Sequence, residues 1–190
     1  VSAGVMILIA IPFFGMRLGS ADAGSDPTNT TTRKAYDLLA KGFGPGYNGP
    51  LQLVAEVQSP SQRAAFIRVQ QAVASTPGVV GATPPRFLPG VNGHPGVALA
   101  EVYPKGSPQA VSTTDLLHTV RNQVVPVTAR GTGLTVLVGG NTAIFDDFSH
   151  VLSHKLPLFI GVVVLLSFVL LMAVFRSVLI PLTAALMNLL

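Results

Sequence analysis

The sequence contains no cysteine. That excludes a disulfide framework, a cysteine-based metal site and a thiol nucleophile, and leaves the redox compartment open. Charge is scarce too. Only 11% of the 190 residues are Asp, Glu, Lys or Arg, against about 25% in an ordinary soluble domain. So few charges cannot coat a fully wetted surface, which argues against a purely soluble enzyme. Disorder needs low hydrophobicity and high charge, whereas 49% of this chain is hydrophobic. The 12 basic and 8 acidic residues leave a formal net charge of +4 with no basic run, so nucleic acid is not an expected partner. No G-x-S-x-G elbow is present, and Asp115 and His118 share a helix with no nucleophile in view. The expectation is a protein that is not an enzyme and uses no cofactor or metal.

The apolar residues are gathered into runs. Leu156 to Phe175 is twenty residues without a charge. As a helix it spans about 30 Å, the thickness of a bilayer core, and it is read as a transmembrane helix. His150, His154 and Lys155 stand before it and Arg176 after it. Pro157 is expected in its first turn, where a missing N–H costs little. Residues 1–16, VSAGVMILIAIPFFGM, are also uncharged and end at Arg17. With neither a basic leader nor a clear cleavage site, they read as the C-terminal part of a transmembrane helix entered in its middle. Residues 178–190, VLIPLTAALMNLL, read as the start of a further one, cut short. Only Arg176 and Ser177 separate the last two runs, a tight membrane hairpin. The positive-inside rule puts Arg176 on the cytoplasmic side and residues 17–155 outside.

Residues 17–155 carry the signals of an α+β domain. A polar loop precedes a helix from Thr31, with Ala35, Leu38 and Leu39 on one face and Gly42 near its end. The glycine-rich Phe43–Pro50 segment is a structured loop. It lacks the Gly-Lys-Ser/Thr and the strand-to-helix placement of a phosphate cradle. Leu51–Val57 alternates as a strand. Ser59, Pro60 and Gln62 form a helix start, followed by the apolar face Ala65, Phe66, Val69, Ala72, Val73. Val79–Thr83 and Val97–Tyr103 are strands joined by a proline- and glycine-rich connection. Ser112 with Asp115 opens a second helix, whose apolar face is Leu116, Leu117, Val120 and Val124. Leu134–Val138 is the last strand. The order β-α-β-β-α-β is the ferredoxin-like, split βαβ plan, with both helices on one face of an antiparallel sheet.

Three segments carry a family resemblance: TTRKAYDLLAKGFGPGYNGPL (Thr31–Leu51), VGGNTAIFDDFS (Val138–Ser149) and LLMAVFRSVLIPLTAALMNLL (Leu170–Leu190). With the order span, domain, span, span they resemble an MmpL-type transporter of the resistance–nodulation–division superfamily, and its second repeat in particular. The resemblance implies that residues 1–16 end the seventh span and 17–155 form the second porter domain. Leu156–Phe175 would then be the eighth span and 178–190 the start of the ninth. It implies proton-driven export of lipids or other hydrophobic compounds across a bacterial plasma membrane. The partners it implies are membrane lipids, a hydrophobic substrate, the remaining spans and the first porter domain. The family's proton relay uses ionisable residues, typically Asp–Tyr pairs, inside later spans, and none falls in these three apolar runs. Two other readings remain beside it, a membrane-anchored binding or assembly module without transport activity and a related helper of protein export.

Few side chains stand out chemically. Asp146, His150 and His154 share one helix face at i, i+4, i+8. Three uses compete for them: a solvated face, a coupling or pH-sensitive contact, and a zinc site that lacks the usual ligand spacing. Arg176 either anchors the hairpin at the headgroups or couples two spans. Arg33 and Asp37 form an i, i+4 pair worth a few tenths of a kcal/mol. The Phe43–Pro50 loop shapes the domain, or borders a substrate path.

Overall fold

The computed structural model describes residues 4, 5, 8, 9, 11, 21–179 and 181–184. Packing divides the chain into two units, Gly19–Asp147 and a second made of Val1–Leu18 with Phe148–Leu190.

In the first unit, helix α1 (Thr31–Phe43) starts under Thr30, whose hydroxyl accepts the Arg33 N–H at 3.3 Å. The Arg33–Asp37 pair forms at 2.9 Å, and Arg33 Nη1 also donates to the Gly24 carbonyl at 2.8 Å. Among the described residues the apolar stripe of α1 meets no core. None of its residues is buried, and Leu38 stays 71% exposed, because α1 packs on the short turns Ala23–Ser25 and Pro45–Asn48 and not on the sheet. The glycine-rich loop has a packing role. A Cβ on Gly46 would overlap the Pro104 carbonyl, and Tyr47 stacks on Tyr103 with ring centroids 4.0 Å apart.

Strand β1 (Leu51–Val57) alternates as its sequence does, with Leu51, Leu53, Ala55 and Val57 buried. Helix α2 (Pro60–Ala74) is capped as its sequence suggests. Ser59 Oγ accepts the Gln62 N–H at 3.3 Å, and Gln62 Oε1 accepts the Gln58 N–H at 2.7 Å. Its buried face is Ala65, Phe66, Val69, Gln70 and Val73. Strands β2 (Val79–Ala82), β3 (Arg86–Leu88) and β4 (Gly96–Pro104) follow. The expected plain connection between Thr83 and Val97 therefore contains a strand. Its three residues pair antiparallel with β4, Phe87 opposite Ala98, and the Phe87 ring meets Phe66 edge-on at 6.2 Å.

Helix α3 (Val111–Thr119) departs from expectation at its start. Ala110 is the cap residue and makes no side-chain bond, so Ser112 lies inside the helix. The Thr113 hydroxyl donates to the Ser107 carbonyl at 2.8 Å and fixes this entry from the other side. A π-helical turn, Val120–Val124, then leads into helix α4 (Val125–Ala129). Pro126 explains it. Proline has no N–H for the Asn122 carbonyl and its ring would strike that oxygen. Widening the turn relieves the clash, and Val125 N–H reaches back five residues to the Val120 carbonyl. Strand β5 (Val136–Gly139) lies one to two residues later than the expected Leu134–Val138.

The sheet order is β2-β4-β1-β5, with β3 beside β4 and every pairing antiparallel. Leu53 sits opposite Ala100 on one side and Val138 on the other. One face of the sheet joins Phe66, Val69 and Val73 of α2 and Leu116 and Leu117 of α3 in a single core. Each large side chain so buried contributes about 1.5–3 kcal/mol.

Gly140, at φ 109°, turns β5 into α5 (Asn141–Phe175). A Cβ there would crowd the Pro50 carbonyl. From Phe148 on, α5 belongs to the second unit. It is the one helix among the described residues long and apolar enough to cross a membrane, with a mean hydropathy of 3.1 over its most apolar stretch and none of that stretch buried. Pro157 sits inside this helix, not in a first turn. The helix begins at Asn141, so proline here removes an internal N–H that would have met the Ser153 carbonyl. Arg176 ends the helix with φ 46°, a left-handed conformation uncommon for a side chain larger than glycine. Of the apolar run 1–16, residues 4, 5, 8 and 9 are helical, and of 178–190, residues 179 and 181–184. The remainder of both runs lies outside the described residues.

Candidate functional site

A cluster of polar side chains drawn from three elements lies where α5 begins. Strand β5 ends, Gly140 turns the chain, and the first two turns of α5 follow. The first turn is held by burial. Thr142 and Ala143 are 4% and 1% exposed, and the Thr142 hydroxyl donates to the Pro108 carbonyl at 3.0 Å. In the second turn Ile144 is 61% exposed, and polar contacts take over.

Arg121 supplies most of them. It stands in the π-helical turn and its guanidinium is committed on two sides. Nε and Nη2 donate to the Val138 carbonyl at 3.2 and 2.7 Å. Nη1 and Nη2 donate to the two carboxylate oxygens of Asp147 at 2.6 and 3.0 Å. This is the bidentate fork that only arginine offers. The Asp147 hydrogen bond raises the Arg121 pKa, against burial, which lowers it. Val138 belongs to an edge strand, so the guanidinium also covers a carbonyl of that edge.

Beside this pair, His118 Nε2 lies 2.8 Å from Asp146 Oδ2. Asp146 is therefore matched to a residue of α3. The other two members of the expected face are found with each other. The His150 and His154 rings are 4.4 Å apart, and His154 Nδ1 lies 3.0 Å from the His150 carbonyl. Among the described residues no three His, Asp or Glu side chains gather into a metal-ligand set. Arg176 lies at the far end of α5, exposed.

An open groove of about 650 Å³ adjoins the Arg121–Asp147 pair, lined by Val54, Leu137, Gly139 and Ile144 among others. Val54 and Leu137 stand opposite one another on two strands, on the sheet face away from the core, and both line it, so its floor is apolar. Arg121 and Asp147 were not singled out by the sequence. They are 26 residues apart, and His118 and Asp146 are 28 apart. The only local signal was Pro126, five residues after Arg121, which marks an irregular helix.

Three similar proteins frame this geometry. The membrane protein YdfJ of Bacillus subtilis is 37% identical over 95% of this chain and 24% of its own length. The heme uptake protein MmpL11 of Mycobacterium tuberculosis is 27% identical over 98% of this chain and 19% of its own. The mycolic acid-containing lipids exporter MmpL11 of Mycolicibacterium smegmatis is 28% identical over 100% and 20%. The chain thus spans about a quarter or less of the length of these relatives. The model of the MMPL family matches residues 33–190, from the first turn of α1 through the Arg121 site and the apolar length of α5. A match over that much of the sequence places the chain in the MMPL family of membrane transporters.

Proposed function

We propose that this chain is a segment of a proton-driven exporter of lipids or other hydrophobic compounds in a bacterial plasma membrane. The Gly19–Asp147 unit is its extracytoplasmic porter domain, of ferredoxin-like, split βαβ plan. The observation that carries the reading is the junction: the domain's edge strand passes through one glycine into a helix whose later part is apolar and unburied. A domain so connected is placed to respond when a membrane helix moves, as in transporters built from repeats. The strand order β2-β4-β1-β5, with α2 and α3 on one face, supports the split βαβ plan. The matched family and a relative named as a lipid exporter support the cargo class. Heme, in the name of another relative, is also hydrophobic.

In this reading the Arg176–Ser177 turn lies on the cytoplasmic side and joins two spans. Asp146 acts as a coupling contact through His118, His150 and His154 form a titratable pair on α5, and Arg176 anchors the hairpin at the headgroups. The apolar groove beside β5 borders the substrate path. Later spans elsewhere in the polypeptide supply the proton relay, and the first porter domain is a partner of this one.

The test is reconstitution of the full-length polypeptide in vesicles holding a fluorescent acyl phospholipid. An imposed proton gradient is expected to drive the lipid across, and a protonophore to stop it. Movement that ignores the gradient would sink proton driving. No movement, with a native product of about 20 kDa on an immunoblot against the domain, would favour the membrane-anchored binding module.

A further inference from the structure

We propose that Arg121 is a positioning residue that braces the corner between β5 and α5, so that movement of α5 is carried to the edge of the sheet. The inference rests on the transport reading above and names how the outer domain is driven.

The corner has three parts: the edge strand β5, the turn at Gly140 and the start of α5. Glycine at φ 109° makes the turn, and burial of Thr142 and Ala143 pins the first turn beyond it, so α5 can give after Ala143 unless something spans the corner. Arg121 spans it. Two of its N–H groups fix Val138, two residues before Gly140, and two fix Asp147, seven residues after it. A guanidinium is planar and rigid, so one group sets the strand-to-helix angle from both sides. The contacts of the second turn of α5 are of a different kind from those of the first. Thr142 and Ala143 are buried in the domain, whereas Asp147 has a 60% exposed side chain and is held by hydrogen bonds. The second turn can therefore part from the domain without opening the core. If it parts, a shift of α5 is absorbed between Ala143 and Asp147. If it holds, the shift reaches Val138 and, through the pairing of Val138 with Leu53, the centre of the sheet. The other charged group that acts on Arg121 is Asp146 on α5. His118 and Asp146 pair with each other and leave the Arg121 fork to Asp147. The π-helical turn places Arg121 in reach, since Pro126 forces the helix to widen at that residue.

The experiment uses the full-length polypeptide in vesicles with an environment-sensitive fluorophore on Leu137→Cys. The position is 66% exposed, lines the groove and lies on β5, and this segment has no cysteine of its own. An imposed proton gradient is expected to change the fluorescence. Arg121→Gln is expected to cut that response about fivefold or more, the lower end of ordinary coupling between sites. Arg121→Lys should restore part of it, and Asp147→Asn should match Arg121→Gln. The response is normalised to folded protein, so a merely structural role would leave it unchanged. An equal response in Arg121→Gln, or none in the unsubstituted protein, overturns the brace. Export of a fluorescent acyl phospholipid by the unsubstituted protein is scored separately. Its absence counts against the transport reading, while the fluorophore still decides whether Arg121 carries movement to β5.

Discussion

Replacing Gly140 with alanine should be costly, and replacing Gly139 should not. Two penalties fall on Gly140. Its φ of 109° lies where an L side chain is strained, at about 1–2 kcal/mol. The added Cβ would also meet the Pro50 carbonyl, with the Leu51 Cα next to it. Both are backbone atoms of the chain leading into the central strand, so they cannot swing aside as a side chain end does. Forcing extra volume into a packed site costs about 1–3 kcal/mol. Together Gly140→Ala should lose about 2–5 kcal/mol. For a domain the size of Gly19–Asp147, 1 kcal/mol is worth about 4 °C in Tm, so the midpoint should fall by about 8–20 °C. At Gly139 no atom lies within 4 Å of the added Cβ and no positive φ is present. Alanine there should lie within about 0.5 kcal/mol of the natural protein, since it strains nothing. Differential scanning calorimetry of the two variants in detergent gives the comparison. Equal midpoints would falsify the account of the corner, since the two residues differ in chemistry only through these contacts and this φ.

Phe66→Ala removes a fully buried ring that touches Phe87 and should cost about 3–5 kcal/mol, read as a fall in denaturant midpoint. Ser59→Ala deletes the cap of α2 and should cost about 1 kcal/mol, whereas Ser112→Ala, inside α3, should stay within about 0.5 kcal/mol. Tyr103 donates to Glu101 at 2.9 Å, and this bond, more than burial, raises the phenol pKa above 10.0. The folded state then keeps a proton that the unfolded state gives up, so this contribution is whole below the unfolded pKa and is lost as pH rises through the folded one. Tyr103→Phe should accordingly flatten the fall in stability above about pH 10, measured by denaturant titration across that range.

The parts of the fold that the sequence predicts well are those decided within a few residues. Leu51–Val57 alternates because one face is core and the other is not, and the same pattern appears in its burial. Ser59 caps its helix because its hydroxyl needs only the N–H three residues on. Where two local solutions compete, distant packing chooses. Ser112 and Asp115 have the spacing of a cap, yet Thr113 bonds Ser107 and the cap falls at Ala110, ahead of Ser112. Arg86–Leu88 is too short and too flanked by proline to read as a strand, and it becomes one because β4 extends far enough to pair with both β2 and β3. Composition sets the apolar limits of α5, but not where its helix begins. The start is fixed by Gly140 and by burial of Thr142 and Ala143, well before the apolar run begins at Leu156.

The candidate site was the least legible for the same reason. Asp146, His150 and His154 share a face by helical arithmetic, but a carboxylate takes the best donor within reach. For Asp146 that donor is on another element, His118. Side chains one turn apart on a helix interact by only about 0.2–0.5 kcal/mol, so a tertiary partner readily displaces them. Arg121 makes the same point more strongly. Apart from Pro126, nothing in its neighbourhood in sequence marks it, and its role follows from a π-helical turn, an edge carbonyl and a carboxylate that only folding brings together. The proline that widens the turn is visible in the sequence. That the widening delivers a guanidinium to the strand-to-helix corner follows from the position of β5 beside β1, a pairing between residues some eighty positions apart.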